Sequence, residues 1–151
     1  MKKLLFATNN DWIGLILRLT LGIIIWPHGA QKLLGMFGGG GFEGTMGFFT
    51  GMLHLPWIVG FLVIIIEFFG SLMIIAGFAT RAWAIAMIGL FIGIIFTAHI
   101  PNGFFMNWMG AQAGEGYEYH LLVIGIALAL LVGGSGKFSV DGLIDKPASS
   151  N

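Results

Sequence analysis

Few residues in this 151-residue chain have chemistry to offer, and the densest group is Trp26-Pro27-His28-Gly29-Ala30-Gln31-Lys32. It closes a long apolar run with an imidazole, an amide and an amine at i, i+3 and i+4. On a helix those three side chains share one face. Glu67, His99, Glu118 and His120 are the downstream partners that could complete a polar cluster with them. An imidazole and a carboxylate exchange protons, while an amide and an amine donate hydrogen bonds. Glu67 is a proton-accepting or ligand-binding carboxylate, or else one held by Arg18 or by a histidine. Arg18, the only charge between Trp12 and Pro27, is expected in a structural ion pair with Glu67 or Asp141. Lys32 is expected to reach outward or to pair with Glu43 or Glu115, and His54 to lie at the surface. Glu118 and His120, two apart, diverge by about 200° on a regular helix and are not expected to bind the same ion unless the helix starts irregularly. No Glu-x-x-His motif and no pair of histidines at i, i+4 occurs, so no metal site is expected.

The elements that must position these groups are membrane-spanning helices. Charged residues make up 9% of the chain, against about 25% in a soluble domain, which makes lipid the expected solvent. Seven basic and seven acidic residues cancel, leaving no field to attract nucleic acid. The absence of cysteine excludes disulfide exchange, thiolate metal sites and iron–sulfur clusters on this chain. The fold class read from these features is an all-α, four-helix polytopic membrane bundle, a single membrane domain over residues 1–151. Continuous apolar runs predict spans at about 12–34, 57–79, 82–100 and 118–133, with a polar tail over 134–151 and no cleavable leader.

Pro27 is expected to kink the first span. In the glycine-rich loop 35–55, Phe42, Met46, Phe49 and Leu53 form an apolar helical stripe. It is predicted to lie in the interface or to fold back over the bundle. Thr80-Arg81 makes the turn between the second and third spans, and Ala82, Ala86, Gly89 and Gly93 form a small-residue strip for a packing helix. Lys2, Lys3, Arg81, Lys137 and Lys146 fall on one side of the membrane and only Lys32 near the other, which predicts cytoplasmic termini. Measured from the cytoplasmic end, His28, Glu67, His99, Glu118 and His120 all fall at ~18–26 Å. An ionisable group near a helix centre costs at least ~2.5–3.5 kcal/mol, so several at one depth must pair or line a hydrated cavity.

These residues also carry a family resemblance. Arg18-Leu19-x-Leu21-Gly22, His28-Gly29-x-Gln31-Lys32-Leu33-x-Gly35, Glu67-x-x-Gly70 and Thr80-Arg81 resemble the DoxX family of small four-helix bacterial membrane proteins. The likeness continues through His99-x-x-x-Gly103-Phe104-Phe105, Glu118-Tyr119-x-Leu121-Leu122 and Gly134-x-Gly136-Lys137-x-Ser139-x-Asp141. It implies an inner-membrane protein acting as a quinone-interacting subunit of a redox or respiratory assembly. Glu67 and His28 would then be the catalytic, proton-handling pair, with Gln31, Lys32, His99, Glu118 and His120 binding the ligand. The chain carries no flavin motif, haem-attachment motif or cluster ligands, so a protein partner or soluble reductant would supply electrons. A non-enzymatic subunit, scaffold or homo-oligomer is the alternative, and transport of a small solute or proton a third.

Overall fold

The computed structural model describes residues 5–145. Residues 1–4 and 146–151, with Lys2, Lys3, Lys146 and the end of the predicted tail, lie outside the described residues. Within the described residues the chain is helical and contains no strand. Helix α1 (Trp12–Leu34) begins where extended Asp11 accepts the Gly14 amide at 2.7 Å, and it stops at Gly35, whose φ is 71°. Its 23 residues extend ~34 Å, enough to cross a bilayer core. It continues through Pro27 as a single helix.

A short turn (Met36–Gly38) leads to α2 (Gly41–Gly47), which runs on into a wide π turn (Phe48–Met52). Met46 and Phe49 are buried there and pack with Val63 and Ile64 of the next helix, so the stripe folds back over the bundle. Leu53, expected on the same stripe, stays exposed. Helix α3 (Trp57–Ala76) and helix α4 (Thr80–Asn102) form the antiparallel hairpin, and like α1 they are long and apolar enough to cross a membrane. The predicted end of α3 at Ala79 needs correction. Gly77 takes a left-handed φ of 67° and closes the helix at Ala76. The turn is then fixed from a distance: the Asp141 carboxylate accepts the amides of Ala79 (2.6 Å) and Thr80 (3.0 Å), capping α4.

Helix α5 (Glu118–Gly133) is shorter, and α6 (Val140–Asp145) comes after a tight loop. Neighbouring helices pack in the ring order α1, α3, α4, α5. Leu21, Ile25, Ile74, Met87, Phe91 and Leu130 are among the residues of their shared core. Outward-facing Ile16, Ile23, Leu62, Ile85, Ile92 and Leu122 give the bundle an apolar exterior, as a lipid-facing surface requires. Among the described residues, no helix packs on Gly89 or Gly93 of the small-residue strip on α4. A Cβ on Gly89 or Gly93 would meet nothing within 4 Å, because α4 turns Ala84, Met87 and Phe91 inward instead. The close approach belongs to α1, where a Cβ on Gly29 would lie 2.4 Å from the Phe68 amide nitrogen.

The expected ion pair of Arg18 also needs correction. Arg18 is 2% exposed and donates to the carbonyls of Ile75, Lys137 (2.9 Å) and Phe138 (2.8 Å), with no carboxylate among the described residues within ion-pair distance. The carboxylate that could have served it, Asp141, is spent on the α4 amides. Arg81 works alongside it, bonding the Ala7 and Val132 carbonyls. Residues 134–145 are therefore docked against the bundle, with Gly136 seated on Gly14.

Gly29→Ala is expected to lower stability by about 1–3 kcal/mol, because the obstructing atoms are backbone and cannot rotate away. Gly125→Ala, where a Cβ meets open space, should be neutral or slightly stabilising. Thermal unfolding in detergent distinguishes the two. Asp141→Ala should cost about 0.5–2 kcal/mol in the same assay through loss of the cap.

Candidate functional site

Glu67 sits near the middle of α3, inside a wide π turn (Ile66–Gly70), and is 3% exposed. A π turn holds one more residue than an α turn, leaves a backbone carbonyl without its usual partner, and recurs at functional sites. Ser71 supplies the missing donor, its hydroxyl bonding the carbonyls of Glu67 (2.5 Å) and Phe68 (2.9 Å). Gly29 then lets α1 lie directly on this widened backbone. The same device appears twice more. Thr97 bonds the Gly93 carbonyl at 2.9 Å in the π turn Ile95–His99, and Thr50 bonds the Met46 carbonyl at 2.8 Å in Phe48–Met52. Two of the three wide turns carry a site residue, Glu67 and His99.

The partner of Glu67 is Lys32. Its Nζ lies 2.6 Å from Oε2, with the two side chains 24% and 4% exposed. Lys32 thus turns inward rather than outward or toward Glu43 or Glu115, because a desolvated carboxylate at that depth is the stronger attraction. This is the one ion pair among the described residues. Beside it opens a cavity of about 430 Å³, within the range of small-molecule sites. His28, Lys32, Glu67, His99 and His120 all line it. His28 is exposed and stands at its edge, while His120 is 6% exposed and lies deep.

The His99 and His120 rings are 4.2 Å apart between centroids. His99 Nδ1 lies 2.7 Å from the Glu115 carbonyl. A carbonyl only accepts, so Nδ1 carries the proton and, in the neutral ring, Nε2 is left as the basic nitrogen. The His120 Nδ1 and the Tyr119 hydroxyl are buried with no hydrogen-bond partner among the described residues. Both residues also line the cavity.

Two expected members stand apart from this group. Gln31 donates to the Phe37 carbonyl at 3.2 Å and borders not that cavity but a recess by α2, which Lys32 also lines. Glu118 accepts the Met106 amide at 2.9 Å and the Trp108 indole at 3.4 Å, on the other side of α5 from His120. The half-turn divergence of positions 118 and 120 separates them. Tyr119, Glu115 and Met106 also line the cavity, and spacing alone does not single them out. Tyr119 does carry a signal, as one of two tyrosines in the chain, placed between two candidate residues. Among the described residues no three histidine, aspartate or glutamate side chains come close enough to hold a metal ion. A larger cavity of about 550 Å³ lies at the opposite end of the bundle, near Thr8, Gly136 and Ser139, away from these groups.

The family model described as DoxX matches residues 13–100, from the start of α1 to the end of the α4 π turn. The chain belongs to the DoxX family. The matched region of this DoxX protein contains His28, Lys32, Glu67 and His99, while His120 and Tyr119 come from α5 beyond it. A Bacillus subtilis (strain 168) protein called "Putative oxidoreductase CatD" is 34% identical over 116 residues, covering 77% of this chain and 76% of that one. No solved structure matches the chain significantly.

Lys32→Met is expected to destabilise the protein by about 1–3 kcal/mol, less than the ~3–5 kcal/mol of a fully buried pair because Lys32 is partly exposed. Adding Glu67→Leu should recover most of that loss, since the orphaned carboxylate goes with it. Melting curves of the two variants in detergent provide the check.

Proposed function

We propose that this DoxX protein is a quinone-interacting subunit of a membrane redox assembly. The carrying observation is the Lys32–Glu67 pair, placed at a cavity that His28, His99, His120 and Tyr119 also line. Reducing a quinone requires two electrons and two protons, with hydrogen-bond donors at its two carbonyl oxygens. Lys32 and the Tyr119 hydroxyl are donors, and Glu67 and the histidines are groups that take up and release protons. The electrons come from a partner protein or a soluble reductant, since no flavin motif, haem-attachment motif or cysteine is present in the sequence. The name of the Bacillus relative, an oxidoreductase, supports the same class of reaction.

The protein resides in the bacterial inner membrane with its termini in the cytoplasm. The distribution of basic residues supports this: Arg81 and Lys137 lie at the end of the bundle that carries Ala7 and Asp141, and Lys32 lies toward the other end. The sequence contains no cysteine, so single cysteines report sidedness cleanly. Gln112→Cys should react with a membrane-impermeant maleimide in intact spheroplasts, and Asn9→Cys only after lysis; the reverse pattern would invert the topology.

Binding of a quinone to the purified protein in nanodiscs is expected to be saturable. Glu67→Gln should weaken it about 10- to 100-fold, the worth of a hydrogen bond to a charged group. A non-catalytic subunit, the competing reading, draws on the uncovered Gly89 and Gly93 face of α4 as a place for another protein. It predicts no quinone binding in either form and co-purification with a larger complex.

A further inference from the structure

The cavity beside the Lys32–Glu67 pair has a neighbour. A groove of about 330 Å³ runs between the π turn after α2, α3 and α4, lined by Phe49, Leu55, Val59, Val63, Leu90 and Ile94. Lys32, Glu67 and Ile94 line both spaces, so the two meet at the ion pair. The α4 wall of the groove includes Gly89 and Gly93, where a Cβ would find open space within 4 Å. The absence of side chains there leaves a trough on a helix whose exposed neighbours, Ile92 and Phe96, are large and apolar.

We propose that this groove holds the hydrocarbon tail of the quinone, which enters sideways from the bilayer and stops with its head at the Lys32–Glu67 pair. The inference rests on the quinone reading of the site and specifies the substrate class: a lipid quinone with a single long tail. The groove is apolar along its length yet ends on two charges. A plain hydrocarbon would gain nothing from that terminus. Glu67 lies nine residues from Ala76 and ten from Trp57, which is ~14–15 Å inward from either end of α3. A phospholipid keeps its charged headgroup at the interface, and drawing it to that depth carries the cost of burying a charge. An uncharged head with hydrogen-bonding carbonyls on one chain meets both requirements.

The test compares two ligands with the same head, a naphthoquinone bearing several isoprene units and its tail-less counterpart, in nanodiscs with wild type, Gly93→Leu and Glu67→Gln. Gly93→Leu fills the trough from a position where added atoms meet open space. It should weaken binding of the long-tailed quinone about tenfold and leave the tail-less one unchanged. Unchanged tail-less binding also reports that the variant is folded. Glu67→Gln should weaken both ligands. A diazirine carried on the tail should label Phe49, Val63 or Ile94 in the wild type, a readout independent of any substitution. If Gly93→Leu affects both ligands equally or neither, or labelling falls elsewhere, the tail does not lie in the groove while the reading of the head stands. If neither ligand binds wild type, the quinone reading fails and this proposal fails with it.

Discussion

A carboxylate in the middle of an apolar helix is the constraint around which this molecule is built. Glu67 is almost wholly removed from solvent, and no residue near it in sequence offers a counter-charge. Its partner must come from another helix, and Lys32 reaches it from the last turn of α1. That reach depends on α1 and α3 touching backbone to backbone, which Gly29 permits at the widened turn around Glu67 and Phe68. The pair also accounts for the shape around it. Two charges of this kind persist in hydrocarbon where polar groups or water surround them, and the adjoining cavity lined by His28, His99, His120 and Tyr119 is such a place.

The backbone is adapted to the same end. Each of the three wide turns is accompanied by a hydroxyl, Thr50, Ser71 or Thr97, that bonds the carbonyl four residues back. In lipid an unsatisfied carbonyl is costly, so the hydroxyls are what make such turns sustainable there. The opposite end of the bundle solves its problem differently. Arg18 and Arg81 gather carbonyls from loops and helix ends, and Asp141 caps α4, so charge-assisted bonds tie the loops there.

Where the sequence speaks in hydropathy and caps, it can be read directly. Asp11 and Gly35 bound α1, Pro56 precedes α3, and Gly134 ends α5. The shared depth of His28, Glu67, His99 and His120 comes from helical rise alone, and these residues do border one cavity. Interactions that depend on azimuth or on distant chain are not legible in this way. A wide turn inserts a residue and rotates the remainder of the helix, and no residue type announces it. The apolar run continues through Phe78 and Ala79, so the stop at Ala76 emerges only from Gly77 and Asp141 together. Arg18 looks like half of an ion pair because counting charges overlooks carbonyls, which are more numerous than carboxylates at a helix end. Gln31 shares a helical face with His28 and Lys32, yet the Phe37 carbonyl draws its amide away.

The two ends of the bundle differ in one further way. Below the ion pair, Leu21, Ile25, Ile74, Met87 and Leu130 fill the space between the helices, and the arginine-bound loops close it. Above it, the cavity extends past His99 toward the exposed backbone of Glu115 in the 103–117 loop. Water has an approach from one side and a packed apolar plug on the other. Under the proposed reading, protons used at this site would communicate with a single aqueous compartment, which would give that chemistry a direction relative to the membrane.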